Sequence, residues 1–316
     1  MRISIRSIFP VLAAALLPAL GTAAEPPEPT PKPRPTLADV SYGPHPRNVL
    51  DFYQATSDKP TPVVIYLHGG AWANGDKKDI AKTRFEKYLA AGVSVVSINY
   101  RYTRQASEQG LKPPVQGPMQ DAARAVQFVR SKAGEWNLDK QRVAASGTSA
   151  GACTSLWLAF HNDLADPASA DPVTRESTRL SCAAVNVAQT SLDPLQMKEW
   201  TPNSNYGGGA FGFKETKPRD GQFAEFLVHR EEVLPRIKEY SPIEHATADD
   251  PPVYMIYLTP PAIGQPQKDP THTANFGVKL QQKLKSLGVG CELVYPGAPD
   301  VKHVGMEDFL IGKLSE

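Results

Sequence analysis

The sequence predicts an α/β protein with a mostly parallel sheet covered by helices on both faces. Three observations carry this. Short continuous apolar runs of the buried-strand type alternate with helical patterns along most of the chain. Glycine-rich turns stand between strands and the helices that follow them. The chain has 316 residues, 41% hydrophobic and 21% charged, which is too apolar for disorder and long enough for a large core.

The elements follow in order. Arg2 and Arg6, the apolar run Ile8 to Leu20 and the small residues Thr22-Ala23-Ala24 read as a signal peptide over residues 1–24. The apolar run is shorter than the roughly 20 residues that a spanning helix needs, so no stable membrane insertion is expected after cleavage, and the expected address is periplasmic or secreted. Residues 25–36 (EPPEPTPKPRPT) carry Pro at six of twelve positions and read as a polyproline spacer. The globular domain is expected over 37–316. Asp39 to Tyr42 and Val49 to Tyr53 lack an intervening helix and suggest an antiparallel edge hairpin. Val63 to Leu67 is the first buried strand. Ala81, Phe85, Tyr88 and Leu89 recur at helical spacing and are stopped by Gly92. Val93 to Ile98 is a strand, Met119, Ala122, Val126 and Val129 mark a helix opened by Pro118, and Arg142 to Ser146 leads into the helical run Gly151 to Phe160. Later strands are Cys182 to Ala188, Val253 to Leu258 and Cys291 to Tyr295, with a helix through Phe276, Leu280, Leu284 and Leu287 capped by Gly288. Residues 191–240 break the rhythm and read as a cap-like insertion. Its Gly207, Gly209 and Gly212 have no preceding strand and so are no dinucleotide fingerprint; Tyr206, Phe211 and Phe213 there suggest a flexible aromatic loop able to cover a site.

Lys plus Arg is 34 and Asp plus Glu is 33, so no global field favours nucleic acid or anionic lipid. The seven His show no linear metal-ligand spacing, and neither metal nor cofactor is expected. Cys153, Cys182 and Cys291 are too few for a disulfide framework; a single bridge between any two, or three small buried hydrophobes, fits the sequence equally.

The chemistry centres on Gly147-Thr148-Ser149-Ala150-Gly151, placed where a strand ends and a helix begins. The turn leaves no space for a Cβ at either glycine, and Ser149 is exposed at a strained backbone. His68-Gly69-Gly70-Ala71-Trp72 follows the first buried strand, where the N–H groups of Gly70 and Ala71, with that of Ala150, can point at an oxyanion. His68 is expected to orient that loop, and Trp72 either to line a pocket or to pack. A nucleophilic serine needs a base and the base a carboxylate, in the chain order Ser, acid, His. His303, in the loop after the last strand, is the expected base, with His272 as its rival. Asp269, the first carboxylate after Val253 to Leu258, is the expected acid, with Asp300 as the alternative and Asp193 further off.

At these residues the chain resembles the α/β-hydrolase fold. Within that fold it resembles the secreted carboxylesterases with an H-G-G-[GA]-W oxyanion loop: the hormone-sensitive-lipase-like esterases and the feruloyl and acetyl-xylan esterase relatives. The likeness runs from about Asp39 to the C-terminus and includes Asn99-Tyr100-Arg101 and Asp121. It implies an eight-stranded, mostly parallel sheet with a cap, Ser149 as nucleophile, Asp269 as acid, His303 as base and Gly70, Ala71 and Ala150 as oxyanion donors. Ala71 stands where many members have a third Gly, and the acid loop is enlarged and Pro-rich (Pro260, Pro261, Pro266). The expected activity is hydrolysis of a small-molecule or glycan ester through an acyl-enzyme. A serine exopeptidase or a silent binding scaffold would carry the same motifs. The sequence leaves the oligomeric state open.

Overall fold

The computed structural model describes residues 32–213 and 218–316, so the expected leader and most of the Pro-rich spacer lie outside the described residues. Eight strands form one sheet: β1 (Leu37–Ser41), β2 (Val49–Tyr53), β3 (Thr61–Leu67), β4 (Ser94–Ile98), β5 (Leu138–Thr148), β6 (Cys182–Asn186), β7 (Val253–Ile256) and β8 (Cys291–Val294). Their spatial order is β1-β2-β4-β3-β5-β6-β7-β8. β1 and β2 pair antiparallel, as does β2 with β4, because no helix separates the first two strands; every pair beyond is parallel.

All seven residues of β3 and all five of β4 are buried. Alternate side chains feed two cores. Val63, Ile65, Leu67, Val96, Ile98 and Val143 pack beneath α3 (Gln116–Ser131), α4 (Ala150–Phe160) and α9 (Asn275–Leu287). Val64, Tyr66, Val95, Ala144 and Tyr254 pack beneath α1 (Lys82–Ala90) and α10 (Met306–Ser315). Burial on both faces explains why these strands read as unbroken apolar runs.

A short helix α2 (Thr103–Glu108) precedes α3 and was not evident in the sequence. The stretch 191–240 contains α5 (Pro194–Trp200), α6 (Arg219–Val228) and α7 (Arg230–Tyr240), followed directly by α8 (Pro242–His245). Its aromatic residues do not form a loop over the site: Tyr206 and Phe211 are buried, and the Phe211 and Phe213 rings lie 4.8 and 5.2 Å from Phe226. Rings of this size gain more by leaving water than by lying across an open surface. All three Cys are free thiols, and burial pushes Cys182 and Cys291 up to about 12. Among the described residues no helix is long and apolar enough to cross a membrane.

Candidate active site

β5 ends at Thr148 and α4 starts at Ala150, so Ser149 alone makes the corner between them. Its backbone stands at φ 55°, ψ −119°, a conformation that costs a non-glycine residue about 1–3 kcal/mol. The neighbours enforce it. A Cβ on Gly147 would come within 2.5 Å of Gly151 backbone atoms, and one on Gly151 within 2.1 Å of the Leu67 carbonyl oxygen. Ser149 N–H donates to the Asn186 carbonyl at 3.0 Å, tying the corner to the end of β6.

The Ser149 hydroxyl has a partner. Its Oγ lies 2.9 Å from Nε2 of His272, and Nδ1 of that ring lies 2.8 Å from Oδ2 of Asp269. A carboxylate only accepts, so Nδ1 carries the proton and Nε2 presents its lone pair to the hydroxyl. Both come from the long loop between β7 and α9, which leaves the carboxyl edge of the sheet two strands from β5. Buried polar side chains hold that loop. Gln189 donates to the Thr271 carbonyl at 2.7 Å. Asn275 accepts from Ala262 N–H at 2.8 Å and donates to the Trp200 carbonyl at 2.8 Å, joining the Pro-rich segment to the end of α5. Asp269 opens a turn in which its own Oδ1 accepts from Thr271 N–H at 3.2 Å. The site is open: the His272 side chain is 32% exposed and that of Asp269 62%.

The expectation that His303 supplies the base is corrected by this geometry. His303 donates from Nδ1 to Glu292 Oε2 at 2.7 Å, while the N–H groups of Lys302 and His303 donate to Oε1 at 2.8 and 2.7 Å. Burial pushes the Glu292 carboxyl up, but these His303 and backbone donors outweigh it and hold it below the usual range. Glu292 shares a row across the sheet with Tyr254, Ala184 and Ser146. It therefore lies three strands from β5, at about 4.8 Å each, and level with a residue three positions before Ser149 at about 3.3 Å each. The segment after β8 folds back along this edge strand, carrying His303 away from Ser149. Asp300 rides on it with φ 56°. Asp193 is engaged elsewhere, capping α5 at Leu195 N–H and pairing with Arg230 at 2.6 Å.

The loop after β3 abuts the same corner, since a Cβ on Gly69 would sit 3.5 Å from that of Ser149. Its carbonyls are occupied. That of His68 accepts from Tyr100 Oη at 2.7 Å, that of Gly69 from His68 Nδ1 at 2.8 Å, and that of Gly70 from Ala73 N–H at 2.9 Å. Gly70, Ala71 and Trp72 follow at φ 102°, 53° and 55°. Among the described residues the N–H groups of Gly70 and Ala71 bond to nothing, and that of Ala150, first in α4, has no acceptor within its helix. His68 is fully buried, stacks on Tyr100 at 4.2 Å and is pushed below its ordinary pKa by burial, so its ring shapes the loop. Trp72 is fully buried and donates to Thr154 Oγ1 at 2.9 Å, which locks the strained turn onto α4. A crevice of about 360 Å³ opens beside this loop between Tyr66, Asn74, Arg84 and Thr148.

Known proteins share this architecture. The BD-FAE family profile matches residues 50–283, more than half of the sequence. Kynurenine formamidase of Debaryomyces hansenii is 33% identical over 135 residues, covering 40% of this chain and 41% of that protein. Esterase LipC of Mycobacterium tuberculosis is 25% identical, covering 69% and 49% respectively. The chain thus spans less than half the length of these curated relatives. A solved truncated carbohydrate esterase from gut microbiota superimposes with a TM-score of 0.64 at 20% identity, over 89% of this chain and 96% of that one, a likeness of fold. The chain belongs to the BD-FAE family, an esterase family of the α/β-hydrolase fold.

Proposed function

We propose that this BD-FAE member is a serine carboxylesterase acting through an acyl-enzyme. The carrying observation is the chain from Ser149 Oγ to His272 Nε2 at 2.9 Å and from His272 Nδ1 to Asp269 Oδ2 at 2.8 Å. His272 takes the hydroxyl proton as Ser149 attacks the ester carbonyl, and Asp269 holds the ring in the tautomer that can do so. The oxyanion gathers bonds from the N–H groups of Gly70, Ala71 and Ala150, each worth about 2.7–4 kcal/mol at the transition state. The alcohol leaves with the proton from His272. Water, deprotonated by the same ring, then releases the acid.

The substrate class we favour is an acylated polysaccharide or oligosaccharide, with acetyl or feruloyl as the acyl group. Three things support it. The triad is open to solvent, so a bulky alcohol can remain outside the fold. The crevice beside the oxyanion loop is lined by polar Asn74, Asp79 and Arg84, which suits a hydroxyl-rich partner. The leader-like residues 1–24 and the Pro-rich spacer fit export to where such polymers lie. A second reading, hydrolysis of an N-formyl amide, is favoured by the likeness to the formamidase.

A fluorophosphonate is expected to add one adduct per chain at Ser149 and none to Ser149→Ala; equal labelling of the variant refutes the proposal. Release of acetate from acetylated xylo-oligosaccharide, run against an N-formyl anilide, separates the two substrate readings. Asp269→Asn is expected to lower kcat by about 10²–10⁴-fold, the lower end reflecting the carboxylate's exposure, whereas Asp300→Asn leaves it within about twofold. Steady-state kinetics of both variants checks this.

A further inference from the structure

His161 closes α4, Glu239 lies near the end of α7 and His245 ends α8, and the fold brings the three together. One candidate donor atom from each lies within 4.8 Å of the others. The hydrogen bonds fix where the lone pairs are. His161 Nδ1 is 2.8 Å from the Asn162 carbonyl, and His245 Nε2 is 2.6 Å from the Glu239 carbonyl. A carbonyl can only accept, so both nitrogens are protonated donors, and the lone pairs of the neutral rings fall on His161 Nε2 and His245 Nδ1. His161 Nε2 then faces the Glu239 carboxylate, 3.3 Å from Oε1. Two acceptors at that distance repel unless a positive charge lies between them. The two imidazole rings are themselves 4.6 Å apart at 41°.

We propose that His161, Glu239 and His245 form a binding site for a divalent transition metal of the zinc class. Three observations support the assignment. Two imidazoles and a carboxylate are a ligand set that zinc takes, with a fourth position left to water. Each imidazole donates its other N–H to a backbone carbonyl, the arrangement that orients metal-bound histidines. The separation of 3.3 Å between His161 Nε2 and Glu239 Oε1 already suits two ligands each about 2.0–2.2 Å from a shared ion. The frame is preformed. Trp157 packs against His161, the rings 4.6 Å apart and tilted by 49°, and donates to the Glu239 carbonyl at 2.8 Å, fixing α4 against α7. The Glu239 side chain is 42% exposed, which gives an ion its way in. The bound metal would tie α7 and α8 to α4, the helix that follows Ser149. No linear spacing reveals the set, because His161 lies far in sequence from Glu239 and His245.

The test uses full-length protein without a histidine tag, stripped with chelator and titrated with zinc chloride by calorimetry. One ion is expected per chain beyond whatever the His161→Gln/His245→Gln double variant binds, together with a rise of several degrees in the unfolding midpoint. Cobalt(II) in the same place is expected to give the strong visible absorption of a four-coordinate site. Glu239→Gln, an isosteric change at a partly exposed position, is expected to weaken zinc at least about tenfold while leaving ester turnover unchanged. The double variant keeps His272–Asp269 and His303–Glu292, so binding there cannot be mistaken for this site. Equal zinc binding by wild type and double variant overturns the proposal and leaves His161 and Glu239 as an imidazolium–carboxylate pair.

Discussion

Replacing His272 with alanine is expected to lower kcat/KM on an activated ester by about 10⁴–10⁶-fold, while His303→Gln stays within about tenfold of wild type. The asymmetry follows from the hydrogen bonds each ring makes. His272 Nε2 is 2.9 Å from Ser149 Oγ, and without that acceptor the hydroxyl must attack as a neutral alcohol, leaving only the oxyanion donors and binding to speed the reaction. His303 spends Nδ1 on Glu292 and packs its ring edge against Phe309 at 5.3 Å. Its loss is read in stability rather than turnover, because these contacts do not involve Ser149, and Glu292 softens that loss by retaining the N–H donors of residues 302 and 303. Kinetics on p-nitrophenyl acetate, with unfolding midpoints for both variants, measures the two effects separately. A collapse of kcat in His303→Gln with His272→Ala near wild type would show that the segment after β8 reaches Ser149 in the working enzyme, and the assignment of the base would fall.

The reason His303 was the expected base shows what the sequence can and cannot supply. β3, β4 and the Ser149 corner are local. Continuous apolar runs declare strands buried on both faces, and two glycines around a serine declare a turn without space for side chains. The placement of Asp269 near this corner was legible because it is the first carboxylate after a strand whose apolar run is plain. The base was not, since chain order allows it after β7 or after β8, and the choice depends on which loop crosses the sheet edge. That is decided by Gln189 and Asn275 holding the β7–α9 loop and by Glu292 drawing His303 back, contacts between residues far apart in sequence. The Asp269-Pro270-Thr271-His272 spacing was a usable signal: in a tight turn, residues three apart can meet side chain to side chain. α5 to α7 escaped for a different reason. Only Phe223 and Phe226 are buried in α6, too few to mark a helical stripe, and α7 carries Pro235 within it, which the sequence signals as a break.

Gly151→Ala is expected to remove most of the folded protein, or at least to lower its unfolding free energy by more than about 4 kcal/mol, beyond ordinary overpacking. The added carbon would lie 2.1 Å from the Leu67 carbonyl oxygen and 2.5 Å from that of His68. Neither atom can rotate away. Leu67 ends β3, which pairs with both β4 and β5, and the His68 carbonyl is held by Tyr100 Oη at 2.7 Å. Relief therefore requires α4 to withdraw from the sheet, which would drag Ser149 and the Ala150 N–H from the oxyanion loop. Stability and activity should fall together, so any soluble fraction is expected to be poorly active as well. Gly134→Ala is the matched control: its Cβ would meet nothing within 4 Å, and the change should stay within about 0.5 kcal/mol. Urea midpoints by circular dichroism, with turnover measured on the same samples, test the pair. A Gly151→Ala protein as stable and active as Gly134→Ala would mean that the corner tolerates a side chain. The strained serine would then owe its conformation to something other than the packing of β3 against α4.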